Sequence, residues 1–367
     1  MEFGTVVVLG LRVLWSLAVG GALIGLLPLG AVSEFVRDLS RRGKLKLASS
    51  ANNPPRFTVP QRWFAHFYVL GSLVNTLLLV VTFLFAYSCT FPLQSEESQV
   101  SAVVAQLGGA GTSDSNGGVG NVGHLAKYRG RAWGSFVLLV MLGLQLLRRL
   151  LETNHISQYS PLARMSIFGY LVGLGFYPAA SLTFFSQHFQ DQDYLSLICK
   201  FVVQRLGSAW VLHTGPPLLN SRIELKEYVK SVRGLEAFQL VGMAVFLLGW
   251  IQQYRLHSIL ASLRAKKVRT GIEAVLKPYS TDKKKVDRYE IPQGSWFEWV
   301  SCAHYLAEIV LYAGIVIASG GNNLNIWLFY SWVVLNLTLA ASETHKWYKS
   351  KFEDYPPFRR AMFPFIY

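Results

Sequence analysis

The stretch FAHFYVLGSLVNTLLLVVTFLFAY, residues 64–87, lacks Asp, Glu, Lys and Arg and is long enough to cross a bilayer as a helix. About 20 apolar residues in a helix span the ~30 Å of hydrocarbon in a membrane. Six more apolar blocks lie along the 367-residue chain, at residues 5–32, 132–147, 167–185, 235–254, 300–318 and 326–341. The pattern predicts an all-α, polytopic membrane helix bundle with about seven transmembrane helices, in one integral membrane domain over residues 1–367.

Composition and charge agree with a membrane location. Hydrophobic residues make up 51% of the chain and charged residues 15%, whereas soluble proteins average about 25% charged residues. The formal net charge of +14 comes largely from basic residues beside the apolar blocks, mainly at 37–46, 255–288 and 346–360. Such residues mark the cytosolic side, so a lumenal amino end and a cytosolic carboxyl end are predicted. No nucleic-acid-binding motif accompanies the charge, and membrane lipid is the expected partner.

The segments between the blocks are expected to differ in character. Residues 95–124 are rich in Gly, Ser and Asn and predict a flexible lumenal loop. Its GVGNVG, residues 118–123, matches a dinucleotide fingerprint by letter but lacks the strand that the fingerprint requires. Residues 187–233 predict a lumenal excursion with an interfacial helix at 194–212, because Lys200 and Arg205 would each cost ~3 kcal/mol at a bilayer centre. A crossing by 194–212 is the alternative, and it would move residues 255–288 to the other side.

The first block could be mistaken for a secretory signal. It lacks a basic segment before it and exceeds the usual 7–15 apolar residues of such signals, so a retained anchor is predicted. The three cysteines, Cys89, Cys199 and Cys302, are far apart and show no metal-ligand spacing. Neither a disulfide framework nor a metal site is predicted.

Ionisable residues inside apolar blocks are candidates for function, because they are costly in hydrocarbon. His304 and Glu308 stand four apart and share one face of a helix, either as a satisfied pair between helices or as a polar lining for a ligand. After the last block, His345 and Tyr348 are three apart and can also meet on one face. Such a Tyr or His can donate a proton, and interfacial anchoring is the alternative for aromatic residues there.

Two further segments contain polar candidate residues. His66 and Tyr68 lie in PQRWFAHFY, residues 60–68, which leads into the second block. RRLLE, residues 148–152, closes the third block and is expected to form internal ion pairs.

The basic segment after the fifth block includes Arg255, His257 and Arg264. Arginine forks bind phosphate bidentately, so several cations there favour a 2′-phosphorylated cofactor; simple positive-inside charge is the alternative interpretation.

Five segments together resemble the steroid 5-alpha-reductase family, and most closely its polyprenol reductase branch. They are PQRWFAHFY, RRLLE, QYRLHSILASLR at 253–264, YEIPQGSWFEWVS at 289–301 with HYLAE shortly after it, and the tail ETHKWYKSKFEDYPPFRRAMFPFIY at 343–367. The similarity is nearly continuous from residue 253 onwards and patchy before it. Their order and co-occurrence make the resemblance specific.

The resemblance implies seven membrane helices, NADPH entering from the cytosolic side, and residues 253–367 as the NADPH-binding reductase region. Carried over by position, it implies an NADPH site lined by Arg264, His304, Glu308, His345 and Tyr348, with Arg359 supporting the tail. The branch implies reduction of the α-isoprene double bond of a long-chain isoprenoid in the endoplasmic reticulum membrane. The product would feed dolichol and hence protein N-glycosylation, and no obligate protein partner is predicted.

Two departures from the steroid-reducing members bear on the substrate. Those members have Asn where this chain has His304, and they grip a steroid ketone with a Glu and a Tyr. The corresponding positions here are Phe67 or His66, and Leu146 or Gln145. The missing clamp favours a linear isoprenoid; 3-oxo-5-alpha-steroid 4-dehydrogenase activity and a non-catalytic membrane homologue are the alternatives.

Chemistry favours an aldehyde as the species reduced. Hydride cannot add to an isolated alkene because the resulting carbanion has no electron sink, whereas an α,β-unsaturated aldehyde moves the charge onto oxygen. Polyprenal is therefore expected rather than polyprenol. The protein must donate to that oxygen and then protonate the α-carbon. His66, Tyr68 and His304 are the candidate donors to oxygen, and Tyr348 is a further catalytic candidate.

Overall fold

The computed structural model describes residues 3–41, 57–90, 117–156, 163–210, 235–276 and 290–364. Helices dominate these ranges: α1 Phe3–Leu26, α2 Ala31–Ser40, α3 Phe64–Thr90, α4 Gly117–Leu151, α5 Ile167–Phe185, α6 Gln192–Trp210, α7 Ala237–Leu276, α8 Ala303–Ala318 and α9 Leu324–Lys351. Two short strands, β1 Thr58–Pro60 and β2 Arg164–Ser166, pair with each other. Single turns of 3₁₀ or π helix complete the described elements: Gln61–Trp63, Glu152–Ile156 and Ser295–Glu298.

The predicted polytopic helical membrane protein is confirmed. Six described helical segments are long and apolar enough to cross a membrane: Phe3–Leu26, Gln61–Tyr87, Tyr128–Ile156, Ile167–Phe185, Ala237–Ala265 and Leu324–Lys351. The sixth apolar block of the sequence forms the shorter helix α8, which has 16 residues. Which end of the bundle faces the cytosol stays a prediction from the positive charges.

The amino-terminal block is divided into two helices. The predicted block covered residues 5–32, but α1 ends at Leu26 and Gly30 has a φ of 59°, in the left-handed region that glycine adopts at little cost. After this turn α2 carries Glu34 and Arg37 on one side, with exposed Val32 and Phe35 elsewhere on its surface. This short helix is amphipathic rather than part of the membrane-crossing helix.

The two predicted lumenal segments are only partly described. Helix α4 begins at Gly117, so the expected loop ends before residue 124, and residues 95–116 lie outside the described part of the chain. The GVGNVG stretch is helical, and the described element before it in the chain is helix α3, not a strand. The helix expected at 194–212 is α6, which is not among the apolar candidates for a crossing, and residues 211–233 lie outside the described residues.

Aromatic side chains join α1, α5 and α9 in the centre of the bundle. Trp15 packs edge-on against Phe329 with ring centroids 5.3 Å apart, and Phe176 stacks on Phe329 at 5.6 Å. The Trp15 Nε1 donates a hydrogen bond of 2.9 Å to Thr183 Oγ1. A buried indole needs such a partner for its N–H. Both apolar and polar contacts therefore hold helix α1 in the bundle.

Helices α7 and α8 approach each other at glycines. A Cβ on Gly249 would lie 2.5 Å from the Leu311 backbone nitrogen, and Gly242 and Gly314 are similarly crowded by the backbone of the opposite helix. Small residues allow such close packing between membrane helices. This contact fixes the register of α7 against α8 and hence the relative height of the polar residues that both helices carry.

The small two-stranded sheet brings the starts of α3 and α5 together at one end of the bundle. β1 and β2 are antiparallel, with Thr58 opposite Ser166 and Pro60 opposite Arg164. Arg164 reinforces the pair by donating to the Thr58 carbonyl at 2.7 Å. Since β1 leads into α3 and β2 leads into α5, the two helices start side by side.

Candidate active site

The same end of the bundle holds a group of buried polar side chains. They come from the start of α3, the end of α4 and its π-helical turn, the middle of α7 and the first turns of α8. We call this group the buried charge network: Tyr68, Gln145, Arg148, Arg149, Glu152, Gln253, His257 and Glu308.

Glu152 is the centre of this network and is 1% exposed. Its Oε2 lies 2.5 Å from Arg149 Nη1 and 2.7 Å from His257 Nδ1, and its Oε1 lies 3.3 Å from Arg148 Nη1. Two arginines therefore share one buried carboxylate. Charges in such surroundings depend on their partners, because an unpaired buried charge costs several kcal/mol.

Arg148 extends the network across three helices. Its Nη1 donates to the Trp250 carbonyl at 2.9 Å, and its Nη2 donates to Gln145 Oε1 at 2.6 Å and to Gln253 Oε1. Gln253 Nε2 in turn donates to Glu308 Oε2 at 3.0 Å. The chain of contacts runs from α4 through α7 to α8, so Glu308 belongs to a larger assembly.

Tyr68 is held by the other arginine. Arg149 Nη2 and Nε lie 3.0 Å and 3.3 Å from the Tyr68 hydroxyl oxygen, and the guanidinium also lies over the ring at 5.3 Å from its centroid. A guanidinium donates hydrogen bonds and accepts none. The Tyr68 oxygen is therefore the acceptor, and its own hydrogen is directed away from Arg149.

His304 lies at the edge of the network on α8. Its ring centroid is 5.7 Å from that of His257 and 4.1 Å from that of Tyr305. His304 thus borders the buried charge network through its ring, and Ser301, three residues before it in the chain, belongs to a second polar group.

That second group is formed by the residues before α8, the end of α9 and the tail. We call it the carboxyl-terminal cluster: Ser301, His345, Tyr348, Tyr355 and Arg359. Ser301 Oγ lies 2.6 Å from His345 Nδ1 and 2.6 Å from the Tyr355 hydroxyl. The Tyr355 ring is stacked on Tyr348, with centroids 5.5 Å apart and planes 14° apart.

The tail is tied to the start of α8 by backbone and side-chain contacts. Val300 and Arg360 form a parallel bridge, in which Ser301 N donates to the Arg360 carbonyl at 2.8 Å. Arg359, 3% exposed, donates from Nη1 to the Pro292 carbonyl at 2.8 Å and lies 3.4 Å from Glu298. Burial raises the pKa of the Tyr355 phenol, so this tyrosine stays protonated near neutral pH.

A cavity of about 510 Å³ opens beside the second half of α7. Its lining includes Ile259, Leu263, Gln293, Phe352 and Asp354. This volume falls in the range of ligand pockets, roughly 300–1,000 Å³. The cavity adjoins the carboxyl-terminal cluster through Phe352, whose ring stacks on Tyr348.

Most of the predicted site residues lie in one of these two groups. Tyr68, His257 and Glu308 are in the buried charge network, with His304 beside it, and His345, Tyr348 and Arg359 are in the carboxyl-terminal cluster.

Three predicted residues lie apart from the two groups. Arg264 is exposed on α7, one residue after Leu263 of the cavity lining. Arg255 is exposed two positions from His257, on a different face of the helix. His66 is exposed and pairs with Tyr170 at 2.9 Å, away from Arg149 and Glu152.

Several members of the site were not predicted as functional from the sequence. Ser301, Tyr355 and Gln253 carry neutral groups with no spacing pattern, and their partners are distant in the chain. Arg149 and Glu152 were expected to form ion pairs, which they do, but their contact with Tyr68 and His257 was not foreseen. Among the described residues no group of three His, Cys, Asp or Glu side chains gathers as a metal site requires.

Comparison with known proteins agrees with these features. Residues 222–367 match the family described as 3-oxo-5-alpha-steroid 4-dehydrogenase. The chain is 38% identical to polyprenal reductase 2 of Arabidopsis thaliana over 96% of its own length and 95% of the relative's. It is 38% identical to polyprenal reductase 1 of Oryza sativa subsp. indica, covering 93% and 91%, and 30% identical to polyprenal reductase of Mesocricetus auratus, covering 97% and 96%.

The similarity to the plant relatives extends over nearly the whole chain. The chain therefore belongs to the polyprenal reductase branch of the steroid 5-alpha-reductase family of membrane oxidoreductases.

Proposed function

We propose that this protein uses NADPH to reduce the α-isoprene double bond of polyprenal in the endoplasmic reticulum membrane. The product, dolichal, would lead to dolichol for protein N-glycosylation. The observation that carries the proposal is the buried charge network, which places a tyrosine hydroxyl and two arginines inside an apolar bundle. Its support from similarity is the match to polyprenal reductases over nearly the full length of the chain.

The chemistry asks the protein for two things. As hydride reaches the β-carbon of the enal, negative charge develops on the aldehyde oxygen, and a donor must stabilise it. The α-carbon must then receive a proton. Preorganised donors in a site that excludes water are effective at both tasks.

Tyr68 is the donor to oxygen that the geometry favours. Its oxygen accepts from Arg149, so its hydrogen is directed elsewhere and its hydroxyl is polarised by a positive charge. His66 is a weaker candidate because it is exposed and paired with Tyr170. His304, near His257, is the candidate to protonate the α-carbon.

The charge balance of the network favours an uncharged head group. Arg148 and Arg149 are matched by Glu152 and Glu308, which lie within the same set of contacts. Cations that are already compensated attract a phosphate less than free cations do. An aldehyde on a long hydrocarbon fits such a site, and its isoprenoid tail needs only apolar surface between helices or in lipid.

The carboxyl-terminal cluster and its neighbours fit a phosphorylated dinucleotide. Arg359 Nε is buried without a hydrogen-bond partner in the described part of the chain, and Arg264 is exposed on α7 next to Leu263, which lines the adjoining cavity. The adjoining cavity offers both apolar walls and polar groups. NADPH, when bound, supplies the hydride, while His345, Tyr348, Arg264 and Arg359 would hold and orient it.

The proposal is tested by offering membranes that contain the protein NADPH with polyprenal, polyprenol or a 3-oxo-4-ene steroid, each separately. Mass spectrometry then measures products heavier by two hydrogens. A gain with polyprenal alone is expected. Membranes with a Tyr68→Phe variant at the same expression level provide the matched control.

Other outcomes distinguish the alternatives. Reduction of the steroid alone would point to 3-oxo-5-alpha-steroid 4-dehydrogenase activity and overturn the choice of substrate. Direct reduction of polyprenol, with no aldehyde detected, would overturn the enal mechanism. Inactivity on all three substrates, together with no binding of NADPH, would mark the chain as a non-catalytic relative.

A further inference from the structure

We propose that Ser301 and Tyr355 are positioning residues, which together hold the His345 ring so that its Nε2–H is a fixed donor to an acceptor oxygen of the dinucleotide. This inference deepens the proposed function and rests on it, because it assumes that the carboxyl-terminal cluster binds NADPH. It adds two residues for which the sequence suggested no role.

Ser301 stands where three separate segments meet. It is 3% exposed, it precedes α8, and it contacts His345 at the end of α9 and Tyr355 in the tail. Both contacts are 2.6 Å long. Contacts of this length between buried polar groups are strong hydrogen bonds, so the Ser301 hydroxyl links the two side chains.

The hydrogens can be assigned by counting donors and acceptors. A serine hydroxyl has one hydrogen, and the nearby acceptors are His345 Nδ1 and the Tyr355 hydroxyl oxygen, each at 2.6 Å, and the Arg360 carbonyl at 3.1 Å. That carbonyl already accepts from Ser301 N at 2.8 Å. We assign the serine hydrogen to Nδ1, because this contact is shorter than the contact with the carbonyl and because an imidazole nitrogen is a stronger acceptor than a phenol oxygen. Tyr355, whose phenol is the more acidic hydroxyl, then donates its hydrogen to Ser301 Oγ.

The tautomer of His345 follows from this assignment. A neutral imidazole that accepts at Nδ1 carries its hydrogen at Nε2, as a second partner commonly dictates for functional histidines. The donor is then suited to a phosphate or carboxamide oxygen, both of which a nicotinamide dinucleotide contains. Without Ser301 the ring loses the contact that selects this tautomer and its orientation.

Tyr355 is itself held in place from two sides. Its ring stacks on Tyr348, and the Arg359 guanidinium lies 6.0 Å from its centroid. Arg359 is anchored by the Pro292 carbonyl. The tail therefore holds the phenol at a defined position. A chain of contacts leads from Arg359 through Tyr355 and Ser301 to His345.

The experiment measures NADPH binding to the purified protein by the change in nicotinamide fluorescence. The variants are Ser301→Ala, Tyr355→Phe, His345→Ala and the double variant of Ser301→Ala with His345→Ala. Loss of a hydrogen bond worth about 1.4 kcal/mol corresponds to a change of about 10-fold in Kd. We expect Ser301→Ala and Tyr355→Phe each to raise the Kd about 10-fold, with kcat at saturating NADPH changed much less.

The double variant separates positioning from a structural role. If Ser301 acts through His345, the double variant binds NADPH no more weakly than His345→Ala alone, because coupled residues are non-additive. Ser301→Thr, which keeps the hydroxyl, should restore binding. Ser350→Ala is the matched control, since this exposed serine bonds the Trp347 carbonyl of its own helix.

Thermal unfolding of each variant accompanies the titrations. Tyr355→Phe keeps the ring stack and removes the hydroxyl alone, so it tests the inference even where Ser301→Ala unfolds. Unchanged affinity in Tyr355→Phe and Ser301→Ala, or additive effects in the double variant, would overturn the inference while leaving the proposed function standing. Wild-type protein that reduces polyprenal without measurable NADPH affinity, or binds no NADPH at all, would overturn the cofactor assignment and the inference with it.

Discussion

The two polar groups of this protein are built by different means. The buried charge network is made of arginines and carboxylates on membrane helices, each compensated by another member. The carboxyl-terminal cluster is made chiefly of hydroxyls, an imidazole and stacked rings, and two of its five members come from the residues after α9. A buried charge is stable only while its charged partner is in place, whereas the hydroxyls and rings of the second group are neutral and can be altered one at a time. The first group should therefore be sensitive in both stability and chemistry, and the second mainly in ligand affinity.

The largest effect is expected when the buried charge network loses a cation. Arg149→Ala leaves Glu152 and Tyr68 without their shared partner, and breaking a buried pair costs about 3–5 kcal/mol. We expect loss of turnover and a clearly lower melting temperature in detergent. Arg62→Ala removes an exposed arginine and serves as the control, with a change within about 0.5 kcal/mol. An Arg149→Ala protein as stable as the wild type would remove the contrast between the groups.

A change inside the network that spares its charges should affect chemistry alone. Tyr68→Phe keeps the ring beneath Arg149 and deletes the hydroxyl. General acid catalysis contributes about 10²–10⁴-fold, so kcat for polyprenal is expected to fall at least about 100-fold, with the KM for NADPH unchanged. Tyr170→Phe, which loses only its contact with exposed His66, is the matched control. Equal kcat in both variants would exclude Tyr68 as the donor.

A change in the carboxyl-terminal cluster should act on the cofactor. Tyr348→Ala removes a ring that stacks on Tyr355 and Phe352. We expect the KM for NADPH to rise about 10-fold, in line with the loss of aromatic contacts worth about 0.5–1.5 kcal/mol each. Steady-state kinetics at varied NADPH measure this, and Tyr348→Phe shows how much the ring alone contributes. A fall in kcat at saturating NADPH instead would assign Tyr348 to the chemical step.

The smallest effect is expected at His66, outside both groups. This histidine is exposed, and its recorded hydrogen bond is with Tyr170. His66→Ala should change kcat/KM for polyprenal by less than about 3-fold, as surface substitutions rarely exceed 0.5 kcal/mol. Side-by-side assay with Tyr68→Phe gives the comparison. A loss as large as that of Tyr68→Phe would show that the residue approaches the substrate.

The sequence predicted some residues of each polar group and missed others. Ionisable residues in apolar blocks are rare and costly, so His304 and Glu308 stood out as candidates. Their neighbours Gln145 and Gln253 did not, because an amide becomes informative only when its partner on another helix is known. Ser301 and Tyr355 are 54 positions apart, and their contact depends on how the tail returns to α8. No local spacing of residues in the sequence predicts that the tail contacts the start of α8.

The same limit applies to the fold. Blocks of apolar residues predicted the membrane helices because hydrocarbon thickness sets their length. The pairing of Thr58 with Ser166 was not predicted, since a three-residue strand has no period to recognise and its partner lies beyond two membrane helices. The division of the first block at Gly30 depends on a single backbone angle. Long-range geometry, rather than composition, decided these features.

The glycine contact between α7 and α8 bears on how the chain is made. At 1.5 Å per residue, the 16 residues of α8 extend about 24 Å, less than the ~30 Å of hydrocarbon. Its lipid-facing length is short, and Gly242, Gly249 and Gly314 let it lie directly against the backbone of the longer α7. We expect the two helices to leave the translocon together as a hairpin, because contact with α7 would favour insertion of the short α8 into the bilayer during synthesis.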